Sequence, residues 1–490
     1  MPETRRQFLH RTLSGAALIA TRGSAALPAW LTACRSPSDA DSIDPTQRFP
    51  LRFPDEVAPM GLTLTAAPGT AGFGGGISGP AWLLNGSLPS PLLRARRGAA
   101  FSVSLQNQLP QDCILHWHGL TPPEAMDGHP RFAVGPGGSY DYAYTVEARA
   151  GTYWYHSHTH MRTAEQTYRG IAGLFLVEDD EEDALGLPSG EREIPLVVQD
   201  RRVDAQGVPY YQPAGPDLMA GYMGTEAFVN GTRRPYLEVD TALYRFRLLN
   251  GSNARILRVG REDQGSIVLI GNDGGLMDRP RTLTAVDVAP AERIDFLLDL
   301  RTHAVGDRIV LRSLPFSIPG GTGFMGGSNL QGQPLELLEL RVTRAVQDEA
   351  TVPETLPPVP APDPDLSVRE RTFVFRSEMM LHTINDTAFG MTRVDETVPF
   401  GDTEIWSFVN QSVLPHPVHL HATHFKVLTR SGGRGQVMPW EEGVKDTVLI
   451  LPQETVRVAV RFTAERGLFL LHCHNLEHED MGMMLNILVE

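Results

Sequence analysis

At 490 residues, 41% of them hydrophobic and 21% charged, the chain is long enough to bury several cores, and ordinary domain sizes suggest about three. A formal charge of −15 argues against nucleic acid as a partner, because phosphate binding needs a cationic face. Three cysteines in such a length do not make a disulfide framework.

Residues 1–34 read as an export signal rather than as structure. Arg5-Arg6-Gln7-Phe8-Leu9 is a twin-arginine motif, which names the twin-arginine (Tat) export machinery as a partner and a periplasmic or other extracytoplasmic location. The stretch from Leu13 to Leu31, interrupted by Arg22, is too short and polar to span a bilayer. Leu31-Thr32-Ala33-Cys34 resembles a bacterial lipobox, in which Cys34 would carry a lipid anchor; the competing reading is ordinary cleavage after a nearby alanine. Residues 1–33 hold four Arg against one Glu, so the remainder stands near −18. Such charge is chiefly a solvated surface, and it would also concentrate cations.

Beyond residue 48, short alternating runs predict strands: Phe101-Ser-Val-Ser-Leu105, Tyr140 to Val146, Tyr244 to Leu249 and Val456 to Phe462. They are punctuated by 47 Gly and 38 Pro, and no long 3.6-residue period competes. The class is all-β, as three tandem Greek-key β-sandwich domains over 48–182, 190–345 and 369–490. Residues 346–368 form a proline-rich linker, with Pro at 353, 357, 358, 360, 362 and 364.

Internal repetition supports this count. Gly151-Thr-Tyr-Trp-Tyr-His156-Ser-His158 parallels Gly467-Leu-Phe-Leu-Leu-His472-Cys-His474, and each segment is followed by a hydrophobic strand ending Val-Glu. A turn cue recurs at Asn85-Gly86, Asn230-Gly231 and Asn385-Asp386. The middle copy has Leu248-Leu-Asn250-Gly251 where a His cluster would fall, which predicts a spacer domain without metal ligands.

Ten of the sixteen histidines fall in four clusters: His116-Trp-His118-Gly119, His156-Ser-His158, His416-Pro-Val-His419-Leu-His421 and His472-Cys473-His474 with His478. On a strand, alternate side chains share a face, so each His-x-His pair grips from one side while Cys473 points away from its two neighbours. Cys473 with one His, a second His five residues on and Met483 has the ligand types of a blue-copper site: two imidazoles, a thiolate and a weak axial thioether. His416 has the opposite parity to His419 and His421 and joins that set, although Pro415 and Pro417 make its strand irregular. His116, His118, His156, His158, His419, His421, His472 and His474 remain, eight imidazoles for three further metal ions. Cys113 is read as a small buried hydrophobe.

These four motifs resemble those of the multicopper oxidases, a family of laccases, bilirubin oxidases, spore-coat laccases and bacterial cuprous oxidases, without gap or substitution from about residue 48 to the end. The resemblance implies cupredoxin-like domains and four copper ions (one type 1, one type 2, two type 3). It implies O2 as the acceptor, reduced to water with electrons from small organic reductants or from Cu(I). It assigns His416, Cys473, His478 and Met483 to type 1, His116 and His419 to type 2, and His118, His156, His158, His421, His472 and His474 to the type 3 pair.

Asp127 and Glu479 stand where the family places acids beside its trinuclear cluster, as proton donors or as orienters of a His ring. His129, His160, His382 and His424 match no ligand position and are read as packing or orienting residues. Cuprous oxidases carry an Asp and a Met where this chain has Ser412 and Leu414, and Pro319 to Gly332 holds a single Met325. Phenolic or other organic donors are therefore expected to outperform Cu(I), with Met219, Met223, Met379, Met380 and Met438 as the counter-evidence. The remote alternative is a copper-free homologue acting in envelope assembly.

Overall fold

The computed structural model describes residues 47–319, 330–378 and 380–490, so the predicted export signal, Cys34, Met325 and Met379 lie outside the described residues. Strands dominate the described residues, where they fall into six sheets that pair around three main hydrophobic cores. One core runs from Leu64 to Val177, a second from Leu51 to Leu356, and a third from Phe373 to Val489. Each fully buried Leu, Ile, Val or Phe contributes roughly 1.5–3 kcal/mol. Cores of this size can hold a polar cluster in place at the junctions between them. Among the described residues no helix is long and apolar enough to cross a membrane.

The first and third sandwiches share one topology. In the first, Leu92–Arg96, Ala172–Glu178, Gly151–Ser157 and Leu115–His118 lie side by side. In the third, Glu396–Val398, Met484–Val489, Gly467–Cys473 and His416–Leu420 repeat that order. The strands that the sequence repeat had aligned, Gly151–Ser157 and Gly467–Cys473, thus occupy the same place in the two sheets.

The turn cue has one physical meaning in all three sandwiches. Asn85, Asn230 and Asn385 each adopt positive φ (52°, 49° and 53°), which Asn tolerates better than most residues. Each side chain then clamps a neighbouring strand: Asn85 Oδ1 accepts from the Thr65 amide at 2.7 Å, Asn230 from Val197 at 2.8 Å and Asn385 from Val374 at 2.8 Å. Their Nδ2 groups donate two residues upstream, to the carbonyls of Thr63, Pro195 and Thr372. A second trio, Asn107, Asn250 and Asn410, ends a strand in each sandwich and donates to one carbonyl in the following loop and to another on a more distant segment.

Two details depart from simple tandem order. Phe49–Pro50 pairs in parallel with Pro235 and Tyr236, so the start of the described chain belongs to a sheet of the middle sandwich. The proline-rich segment also packs rather than merely linking: Leu356 is buried in the middle core, and Val346, Ala350 and Val352 lie against it.

Candidate metal centre

Strand register builds the site. His116 is the cross-strand partner of His156, and His419 is the partner of His472, with Val418 opposite Cys473. The two strand pairs meet face to face between the first and third sandwiches. The His118 and His419 rings stack at 3.6 Å, and those of His116 and His421 at 3.8 Å. All eight imidazoles are buried.

Hydrogen bonds assign the free nitrogen on most of these rings. His116 Nδ1 donates to the Asp127 carbonyl at 2.6 Å and His419 Nδ1 to the Asp446 carbonyl at 2.9 Å, which leaves their Nε2 atoms facing each other at 3.4 Å. His421 Nδ1 donates to Asp127 Oδ2 at 2.7 Å, and His472 Nδ1 lies 3.2 Å from Glu479 Oε2. Glu479 Oε1 lies 3.7 Å from His158 Nδ1. The Nε2 atoms of His421 and His158 then stand 3.1 and 3.3 Å from that of His472. Three lone pairs aimed at one point repel unless a cation sits among them.

The second triad is His118, His156 and His474, with ring centroids 5.1–5.6 Å apart. His118 donates through Nε2 to Asp446 Oδ1 at 3.0 Å, and His156 through Nδ1 to the Ser157 carbonyl at 2.8 Å. His118 Nδ1, His156 Nε2 and both His474 nitrogens are buried with no hydrogen-bond partner. Each such atom costs about 1–3 kcal/mol if left unpaired, so the donor set fits a metal. Geometry thus groups the six outer imidazoles, whose pairing the sequence left open, as His158/His421/His472 and His118/His156/His474.

On the opposite face of the Cys473 strand, Sγ lies 3.4 Å from His416 Nδ1 and 3.6 Å from His478 Nδ1. The outer nitrogens are held: His416 Nε2 pairs with Ser412 Oγ at 2.8 Å, and His478 Nε2 donates to the Met219 carbonyl at 2.8 Å. Met483 is buried in the same core, and its carbonyl accepts the Cys473 amide at 3.0 Å. This trigonal sulfur-and-two-nitrogen set fits copper.

Electrostatics agree. Burial, followed by neighbouring imidazoles, holds His116, His118, His421, His472, His474 and His478 well below the ordinary histidine value, and pushes His416 down to about 3. Neutral imidazoles are what a metal needs. Burial pushes the Cys473 thiol up, so its proton must leave as metal binds. Burial likewise raises Asp127 and Glu479.

The four other histidines of interest also fall near the site. His382 stacks on His478 at 4.1 Å, His129 Nε2 meets Asn486 Oδ1 at 2.8 Å, His424 Nε2 lies 3.7 Å from Asp446, and His160 packs on Phe389. Sequence reasoning missed Asp446, Thr447, Arg293 and the Met219 carbonyl. Their link to the histidines is a long-range contact with no spacing signature; Asp446 stands 328 residues from His118.

Comparison with known proteins agrees with this geometry. Models of the multicopper oxidase family match residues 65–182 and 359–490. A laccase of Bacillus stratosphericus is 30% identical, over 82% of this chain and 89% of its own. The cell division protein FtsP of Dickeya dadantii is also 30% identical, over 100% of this chain and 99% of its own. The crystal structure of McoA multicopper oxidase from the hyperthermophile Aquifex aeolicus matches with a TM-score of 0.82 at 34% identity, covering 91% of this chain and 100% of that one. With its copper-type donor clusters in place on this fold, the chain belongs to the multicopper oxidase family, copper oxidoreductases that use O2.

Proposed function

We propose that the protein is a laccase-type oxidase with four coppers, in which four one-electron oxidations of phenolic or other organic donors are coupled to reduction of one O2, with four protons, to two waters. The observation that carries this is the Cys473 tripeptide. Its sulfur completes one donor set with His416 and His478, while His472 on one side joins His158 and His421 and the His474 ring on the other lies 5.1 Å from those of His118 and His156. Bound copper supplies single-electron redox chemistry at both ends of that tripeptide.

The chain's own residues do the rest. Ser412 and the Met219 carbonyl orient His416 and His478 so that Nδ1 faces the sulfur. Asp127 accepts the His421 Nδ1 proton and orients that ring, whereas His472 Nδ1 donates to the Cys473 carbonyl with Glu479 Oε2 3.2 Å away. Both carboxyls are buried and raised, so each retains a proton at higher pH than an exposed acid and is placed to supply it beside the cluster. Met483, buried in the same core as Cys473, would be the further residue holding the copper at that sulfur. Export by the twin-arginine route, with lipidation at Cys34, is part of this reading and rests on the sequence alone.

A second reading, oxidation of Cu(I), has one observation in its favour. The Met219 thioether accepts the Met380 amide at 3.0 Å, and the same Met219 caps His478 through its carbonyl, so two of the five scattered methionines meet at that rim. Thioether is what selects cuprous ion. The copper-free alternative, to which the likeness to a cell division protein lends support, is opposed by the buried His and Cys donors gathered in this chain.

O2 uptake by the purified, copper-loaded protein, with phenols and buffered Cu(I) tested in parallel, decides among these. Phenols should give the higher kcat/KM. A tenfold advantage for Cu(I) would reverse the order, and no O2 uptake with any donor would favour the envelope-assembly reading.

A further inference from the structure

We propose that Arg293, supplied by the middle sandwich, is a positioning residue for the histidine cluster, acting through Asp446 to make Nδ1 of His118 the nitrogen that faces metal. The inference rests on the copper reading above and deepens it, because the middle sandwich then completes the site instead of spacing its halves.

Arg293 is wholly buried, and an arginine has five N–H donors in a rigid fork. All five are used. Nε donates to the Thr152 carbonyl at 2.9 Å, in the first sandwich. Nη1 donates to the Ala291 carbonyl at 3.0 Å and Nη2 to the Asp273 carbonyl at 2.9 Å, both in the middle one. The two remaining donors grip Asp446 of the third sandwich in bidentate fashion, Nη1 to Oδ1 at 2.8 Å and Nη2 to Oδ2 at 2.5 Å.

Asp446 in turn touches both kinds of candidate ligand. Its Oδ1 accepts His118 Nε2–H and its carbonyl accepts His419 Nδ1–H. Thr447 Oγ1 donates to the same Oδ1 at 2.8 Å. With Arg293, Thr447 and His118 on its oxygens, Asp446 is an acceptor for ring protons rather than a metal ligand. A His118 ring so pinned presents Nδ1, the atom left without a partner.

The local sequence makes room for the fork. Gly119, at φ +87°, immediately follows His118, and a Cβ there would lie 2.7 Å from both Arg293 Nη2 and Asp446 Oδ2. A neighbouring buried set, Lys445 with Asp273 at 2.8 Å and Glu292 at 3.3 Å, locks the Asp273 turn whose carbonyl holds Arg293.

The test uses the full chain with Arg293→Lys, Arg293→Met and the double variant Arg293→Met/Asp446→Asn, each loaded with copper and dialysed against a graded chelator. Loss of a partner that orients a metal-bound imidazole weakens metal binding by roughly 10–100-fold. All three should keep the parent's blue absorbance per chain, lose non-blue copper at chelator strengths roughly 10–100-fold lower, and show an altered non-blue EPR signal. Arg293→Lys keeps the charge but not the fork, so it separates positioning from charge balance. The double variant buries no lone charge and covers the case in which Arg293→Met fails to fold. Parent-like copper retention and EPR in Arg293→Lys and in the double variant would overturn the inference. A parent that binds no stoichiometric copper would overturn the copper reading and this inference together.

Discussion

The carbonyl of Met219 accepts the Nε2–H of His478 at 2.8 Å, and the sulfur of the same residue accepts the Met380 amide. The Gly215–Ala220 helix of the middle sandwich therefore caps the buried His478 ring. Met219→Ala keeps the carbonyl and removes the thioether. It should leave the blue absorbance and the phenol kcat/KM within about twofold, while any Cu(I) oxidation loses affinity because its soft ligand is gone. Steady-state O2 uptake with both donors checks this, and an equal loss for both would show that the side chain shapes the His478 cap instead.

Cys473→Ser should abolish the intense blue band and oxidase turnover while leaving a folded protein, since only a thiolate gives that band and only this residue joins the two donor sets. Visible absorption and circular dichroism read the two halves of the expectation. A serine variant that stayed blue would sink the assignment.

Met483→Leu should retain blue copper at a higher reduction potential, because losing a weak axial donor stabilises Cu(II) less. The backbone bond from Cys473 to the Met483 carbonyl keeps the loop in place without the sulfur. Cyclic voltammetry showing a lower potential, or a protein unable to bind copper, would point to Met481 or Met484 as the axial residue.

The Asp446 carboxyl sets an acid limb of stability. Burial alone would raise it, but Arg293 and His118 outweigh burial and hold it well below its ordinary value. A carboxyl depressed in the folded state contributes stability above its unfolded value, about 3.9, and loses it as pH falls through the folded value. Asp446→Asn should therefore flatten the decline of Tm below about pH 4 in the copper-free protein. At neutral pH it should cost about 3–5 kcal/mol, because Arg293 is left buried without its partner. Calorimetry from acid to neutral pH tests both, and an acid limb parallel to that of the parent would refute the assignment.

Asp127→Asn should leave the blue band intact and slow turnover by roughly 10²–10⁴-fold if the carboxyl supplies protons. If the residue only orients His421, the amide oxygen still accepts the Nδ1 proton and the loss stays below about tenfold. Turnover against pH separates the two outcomes.

Much of this was written along the chain. The four histidine motifs and Cys473 declare their chemistry because strand alternation converts a local spacing into a face, and no distant contact is needed to see it. The Asn85, Asn230 and Asn385 turns were legible for the same reason, since a positive-φ turn is a local event. Even the opposed directions of Cys473 and its two histidines follow from three consecutive residues.

What the sequence determined, then, was the inventory: an all-β repeat protein with twelve candidate copper donors and two acids at fixed offsets. The tertiary structure grouped the rings of His158, His421 and His472 apart from those of His118, His156 and His474, and set the free nitrogen on His116, His118, His156, His419 and His421. It also decided that the middle sandwich supplies Arg293 and the Met219 carbonyl. These depend on which strands face one another across sandwiches. Packing between residues hundreds of positions apart sets that, and it leaves no periodicity in the chain to read.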